Sequence, residues 1–143
     1  MSIHAKRVLG PGLLAGLVIN LSAFTMVPAV GNQFDVALAA RGLPPLGPGA
    51  MAFIALVSLS LGVVLVWLYA AIRPRLGPGP RTAVVAAAFV WLVGTLLPNA
   101  ALAVYGFLPA SLVAIGTAWG LGELLVAGLV GVRLYREPQG RPA

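Results

Sequence analysis

Cysteine is absent from the 143 residues, and histidine occurs once, at His4. Disulfides, thiol nucleophiles and Cys-ligated zinc or iron–sulfur centres are thereby excluded. One histidine in an N-terminal tail leaves no His-ligated metal or haem site in the apolar body. Lysine also occurs once, at Lys6, and no Gly-x-x-x-x-Gly-Lys phosphate loop is present. With no Ser–His–Asp set available inside the chain, neither catalytic residues nor a cofactor is expected, and an enzyme is not the reading. Charge is scarce as well. Only 8% of residues are charged, against about 25% in soluble domains.

Apolar residues fill the space that charge leaves. The chain is 60% hydrophobic with a mean hydropathy of +1.01. Four long apolar runs take up most of it, which predicts an all-α, four-transmembrane-helix bundle forming a single membrane domain over 1–143. Each run exceeds the ~20 residues that cross a ~30 Å hydrocarbon core. Backbone groups must pair internally at that depth, so helices are required. The net charge of +6 sits beside the apolar runs, where basic residues fix topology and touch anionic lipid rather than nucleic acid.

The expected spans are 8–30, 50–72, 82–103 and 110–134. Lys6 and Arg7 before the first run, with Ala37-Leu38-Ala39 after it, imitate a signal peptide. The run from Val8 to Val30 is longer than the 7–15-residue core of such signals, so it reads as a retained signal-anchor helix. Between Gly31 and Gly49 a polar loop is expected. A short interfacial helix through Phe34, Leu38 and Arg41 is one form of it, halted by Pro44-Pro45 and Gly47-Pro48-Gly49. Trp67, Tyr69 and Arg73 anchor the end of the second span. Arg73-Pro74-Arg75-Leu76-Gly77-Pro78-Gly79-Pro80-Arg81 reads as a stiff, non-helical turn whose Arg73, Arg75 and Arg81 meet anionic lipid. An aromatic turn from Val104 to Pro109 precedes the fourth span, and Tyr135 to Ala143 reads as a disordered tail.

Eight of the nine basic residues then fall on one side, Lys6, Arg7, Arg73, Arg75, Arg81, Arg133, Arg136 and Arg141, with Arg41 alone on the other. The positive-inside rule sets both termini in the cytoplasm. Trp67 to Pro74 and Arg133 to Pro138 end their spans in the same order of aromatic, arginine and proline. That echo fits two related hairpins, although any cytoplasmic helix end favours these residues.

One acid interrupts the fourth run: Glu123, in Trp119-Gly120-Leu121-Gly122-Glu123-Leu124. Bringing it to the bilayer centre costs about 2.5–3.5 kcal/mol, and such a group faces protein or a cavity by default. Three- and four-residue steps from it reach Trp119, Gly120 and Ala127, then Gly116 and Gly131, a small-residue stripe that lets helices approach. In the first span Gly12, Gly16 and Asn20 form a second stripe. At 1.5 Å per residue, Asn20 lies roughly 18 Å above Val8 and Glu123 roughly 16 Å above Leu134. Ser60 and Thr95 fall near the same level. The expectation is a polar layer of Asn20, Glu123 and the Ser60 or Thr95 hydroxyl, with the first and fourth spans packed together. No Lys, Arg or His lies in the spans to pair with the acid, so hydrogen bonds must hold it unless water or a ligand cation arrives. Asn99 is expected to cap or kink the third span, Ser58 and Gly62 to serve packing, and Trp91 and Trp119 to be packing or cavity walls.

Gly12-Leu13-Leu14-Ala15-Gly16-Leu17-Val18-Ile19-Asn20 and the run Trp67 to Ala83 resemble segments of small, uncharacterised bacterial four-helix integral membrane proteins. The resemblance covers about the first 85 residues. It implies a bacterial inner membrane and a four-span bundle, and carries no activity. Small multidrug-resistance transporters share four spans and a lone membrane glutamate, but theirs is in the first helix. Two functions follow from the residues. One is a packing or assembly subunit, as a homo-oligomer or in a larger membrane complex. The other is a proton-linked carrier of a small hydrophobic or cationic solute using Glu123.

Overall fold

The computed structural model describes residues 5–135. His4, Arg136, Arg141, the Glu137-Pro138 half of the helix-end echo and the rest of the expected tail lie outside the described residues. Every apolar run is helical: α1 (Ala5–Ala39), α2 (Pro48–Leu76), α3 (Pro80–Trp91), a π-helical turn (Leu92–Leu96), α4 (Leu97–Val104) and α5 (Ala110–Leu134). With α3, the π turn and α4 forming one rod, four helices among the described residues are long and apolar enough to cross a membrane.

The first three helical rods are longer than expected, because the prolines stop less than their number suggests, while α5 keeps the expected bounds 110–134. The loop placed over 31–49 shrinks to 40–47, and α1 runs through Pro28 and Gly31 to Ala39. Pro28 deprives one carbonyl of its donor, a loss that membrane helices absorb. The helix ends after Ala39 in a capping turn, where Gly42 takes a φ of +68° and the Leu43 N–H reaches back to the Leu38 carbonyl at 3.0 Å, ahead of Pro44-Pro45. At 35 residues, α1 is about 52 Å long, well beyond the ~30 Å hydrocarbon core.

Likewise the turn read as non-helical over 73–81 is helical except at 77–79. Pro74 lies within the last turns of α2, where it costs a single hydrogen bond, and Pro80 opens α3 at the first-turn position that needs no donor. Gly77 and Gly79 have φ of +83° and +129°, conformations that a side chain would resist. The Tyr69 hydroxyl accepts the Gly79 N–H at 3.2 Å, and Thr82 Oγ1 donates to the Gly77 carbonyl at 2.7 Å. The turn is therefore held by both helices it joins.

Packing follows chain order. α1 lies against α2 and α5, and α3 against the same two, closing a four-helix ring. Its centre is built of small and medium residues, among them Ala15, Leu65, Val66, Ala83, Ala86, Ala87, Leu124 and Ala127. Phe24, Phe53, Leu56 and Phe89 point outward. Lipid gives no reason to bury large side chains, so close backbone approach decides what goes inside. The tightest crossing is α1 on α2. A Cβ on Gly62 would collide with Gly16 N and Gly12 O, and one on Gly16 would lie 2.5 Å from Leu59 Cα. On α5, a Cβ at Gly131 would lie 2.7 Å from Val66 Cγ2 and 3.2 Å from Ala15 Cβ.

Gly131 beside Pro11 of α1 and the Tyr69–Tyr135 ring contact at 6.1 Å place the start of α1, the 77–79 turn and the end of α5 at one end of the bundle. Lys6, Arg7, Arg73, Arg75, Arg81 and Arg133 gather there. Arg41 is at the opposite end, where Nη1 donates to the Ala37 carbonyl at 3.0 Å and Nη2 to the Gly106 carbonyl. It ties the close of α1 to the turn before α5.

Candidate intramembrane site

Glu123 stands 13 residues after the start of α5 and 11 before its end, about 16–20 Å from either by helical rise. Gly120, Leu124, Ala127 and Gly128 on the same helix are buried in the bundle. Glu123 sits on the shoulder of that stripe and is half-buried. Trp119, one turn earlier, is 43% exposed. Between this shoulder and α1 runs a groove of about 630 Å³. Val18 and Ser22, one turn apart, form its α1 wall; Ile115, Ala118, Trp119, Gly122, Glu123 and Val126 form the α5 wall. Apart from Ser22, Glu123 and the indole nitrogen, that lining is apolar.

The polar groups lie side by side. Trp119 Nε1 donates to Ser22 Oγ at 2.9 Å, and Ser22 on the α1 wall and Glu123 on the α5 wall line the same groove. Accepting from the indole leaves the serine proton available to the acid. Among the described residues no buried side-chain nitrogen or oxygen lacks a partner.

The expected polar layer is not what forms. Asn20 is two residues from Ser22, about 200° away around the helix, and faces α2. Its Nδ2 donates to the Gly16 carbonyl at 3.1 Å and to the Ala55 carbonyl of α2 at 3.2 Å. Ser60 is exposed and donates to Leu56 of its own helix at 2.8 Å. Thr95 lies in the π turn against Gly120, where a Cβ would come 2.9 Å from its Cγ2. Of the residues placed in the layer only Glu123 lines the groove, and Trp119, expected as a packing or cavity wall, lines it beside the acid. Gly116, expected to serve helix packing, is instead exposed, with nothing within 4 Å of an added Cβ, so among the described residues it packs against no helix.

Two hydroxyls went unremarked in the sequence. Ser22 is one, and it becomes significant only once the Gly12–Gly16–Asn20 face is committed to α2, which turns Val18 and Ser22 toward α5. The other is Thr117, whose carbonyl accepts Trp91 Nε1 at 2.9 Å and whose Oγ1 accepts Asn99 Nδ2 at 2.9 Å. These bonds bracket the π turn, where Leu97 N–H reaches Leu92 O, five residues back. Pro98 offers the next carbonyl no N–H, so the ladder is already broken there and can take up one residue of slack. Asn99 thus joins α4 to α5 rather than capping a helix.

Among the described residues, no group of three His, Cys, Asp or Glu side chains is placed to hold a metal ion. Compared with known proteins, the chain matches no family model, no curated sequence and no solved structure.

Proposed function

We propose that this protein recognises a small hydrophobic solute from within the bilayer, in the α1–α5 groove, with Glu123 as the polar anchor. One observation carries the reading: a half-buried carboxyl at mid-helix opens into a groove of about 630 Å³ with apolar walls. Solute sites are concave, mostly apolar, about 300–1,000 Å³ in size, and oriented by a few polar groups. Glu123 is the one titratable side chain in that lining. A carboxyl that holds either a proton or a solute's donor group couples the two, so the activity such a site supports is proton-linked carriage. On the positive-inside rule the basic end, where α1 begins and α5 closes, faces the cytoplasm, in the bacterial inner membrane that the resemblance implies.

Gly122 supplies the test. A Cβ there meets nothing within 4 Å, so Gly122→Leu fills the groove without disturbing the bundle. Native chain in phosphatidylcholine nanodiscs should bind Nile red, a neutral hydrophobic dye, saturably above the empty-disc background, and Gly122→Leu should not. Equal binding by both forms would place the solute elsewhere or nowhere.

A second reading, an assembly subunit, draws on the open lipid-facing space at Gly116. The cysteine-free chain permits a direct check. Gly116→Cys should form a disulfide-linked dimer in membranes if that face is a contact between copies, and remain monomeric if it is not.

A further inference from the structure

We infer that the groove selects a hydrophobic monocation: one ammonium or phosphonium centre surrounded by apolar groups, entering sideways from the lipid. This rests on the groove being a solute site, and adds the chemical class of the solute.

Charge complementarity is the first argument. Glu123 is the only ionisable group in the groove lining, and none of the basic side chains among the described residues joins it there. Lys6, Arg7, Arg73, Arg75, Arg81 and Arg133 lie at one end of the bundle and Arg41 at the other. The one hydroxyl that shares the lining with it is that of Ser22. A carboxylate in a medium of low dielectric attracts a cation far more strongly than in water. An anion of the same shape meets the same field with the opposite sign.

The walls narrow the choice. A divalent or small hydrated cation needs several oxygen ligands; the lining offers one carboxyl and one hydroxyl, and no clustered acids occur among the described residues. Val18, Ile115 and Val126 favour a solute that sheds its water. Trp119 completes the selection. Its N–H is spent on Ser22, which leaves the indole ring to the groove, and aromatic rings attract desolvated cations. Ser22 thus acts as a positioning residue, holding the ring beside the carboxyl through its hydrogen bond with the indole.

The test uses two ions of one shape and opposite charge, radiolabelled tetraphenylphosphonium and tetraphenylborate, with the full chain in neutral phosphatidylcholine nanodiscs. The native protein should bind the phosphonium saturably at one per chain, on the order of 10-fold or more tighter than the borate. Glu123→Gln, close to isosteric, should lose that preference, and Gly122→Leu should lose saturable binding of both, with helical content unchanged by circular dichroism. Equal affinity for the two ions, or an undiminished preference in Glu123→Gln, overturns the monocation. If Glu123→Gln does not fold, Gly122→Leu decides: phosphonium binding that survives groove filling also overturns it. Nile red separates the two levels. Saturable dye binding abolished by Gly122→Leu, without saturable phosphonium binding, overturns the monocation alone; absence of both overturns the solute site beneath it.

Discussion

A carboxyl near the bilayer centre costs about 2.5–3.5 kcal/mol, and this protein surrounds Glu123 with one hydroxyl and an open groove. Interhelical hydrogen bonds in membranes return only about 0.6–2 kcal/mol, so the acid is not explained as an economical way to fasten α1 to α5. The Gly12–Gly16–Gly62 seam fastens α1 to α2 without any charge. Ser22→Ala should therefore cost only about 0.5–1.5 kcal/mol of stability, read as a small shift in the unfolding midpoint. Its larger effect should be on Trp119, whose freed indole should show lower fluorescence anisotropy. An unchanged anisotropy would mean that Ser22 does not position the ring. Sequence made Glu123 and Trp119 visible, since four residues along a helix share a face. Asn20 misled because depth along the axis was right and azimuth was unknown; Ser22, about 200° around, held the correct face.

At the scale of helices, backbone contact is the organising force. Gly62→Ala forces a methyl into the backbone of α1, and overpacking of this kind costs about 1–3 kcal/mol. Gly116→Ala meets open space and should stay within about 0.5 kcal/mol of native. Reversible unfolding in mixed micelles, followed by circular dichroism, measures both. Similar values for the two would mean that the α1–α2 seam is not where the bundle is closed. Four helices and their order could be read from hydropathy alone. Their ends could not, because helix continues past Pro28 and through Pro74, where each proline removes a single hydrogen bond. The π turn was equally hidden: Pro98 marks the weak point, but only contact with α5 through Asn99 and Thr117 reveals how the slack is used.

For the molecule as a whole, two ends of unlike charge follow from the fold. The positive-inside rule then makes an accessibility prediction. Gly47 and Pro78 are exposed, in the turns at opposite ends. In intact bacterial cells expressing single-cysteine variants, a membrane-impermeant maleimide should label Gly47→Cys and should reach Pro78→Cys only after permeabilisation. The reverse pattern would invert the molecule. Between those ends, the bundle closes its core with alanine and glycine and leaves one lateral groove with an acid in it. Saturable binding of tetraphenylphosphonium by native chain and Gly122→Leu, side by side in neutral nanodiscs, tests that arrangement most directly. One tightly bound cation per native chain and none in the filled variant is the predicted result. Identical isotherms for the two would contradict it.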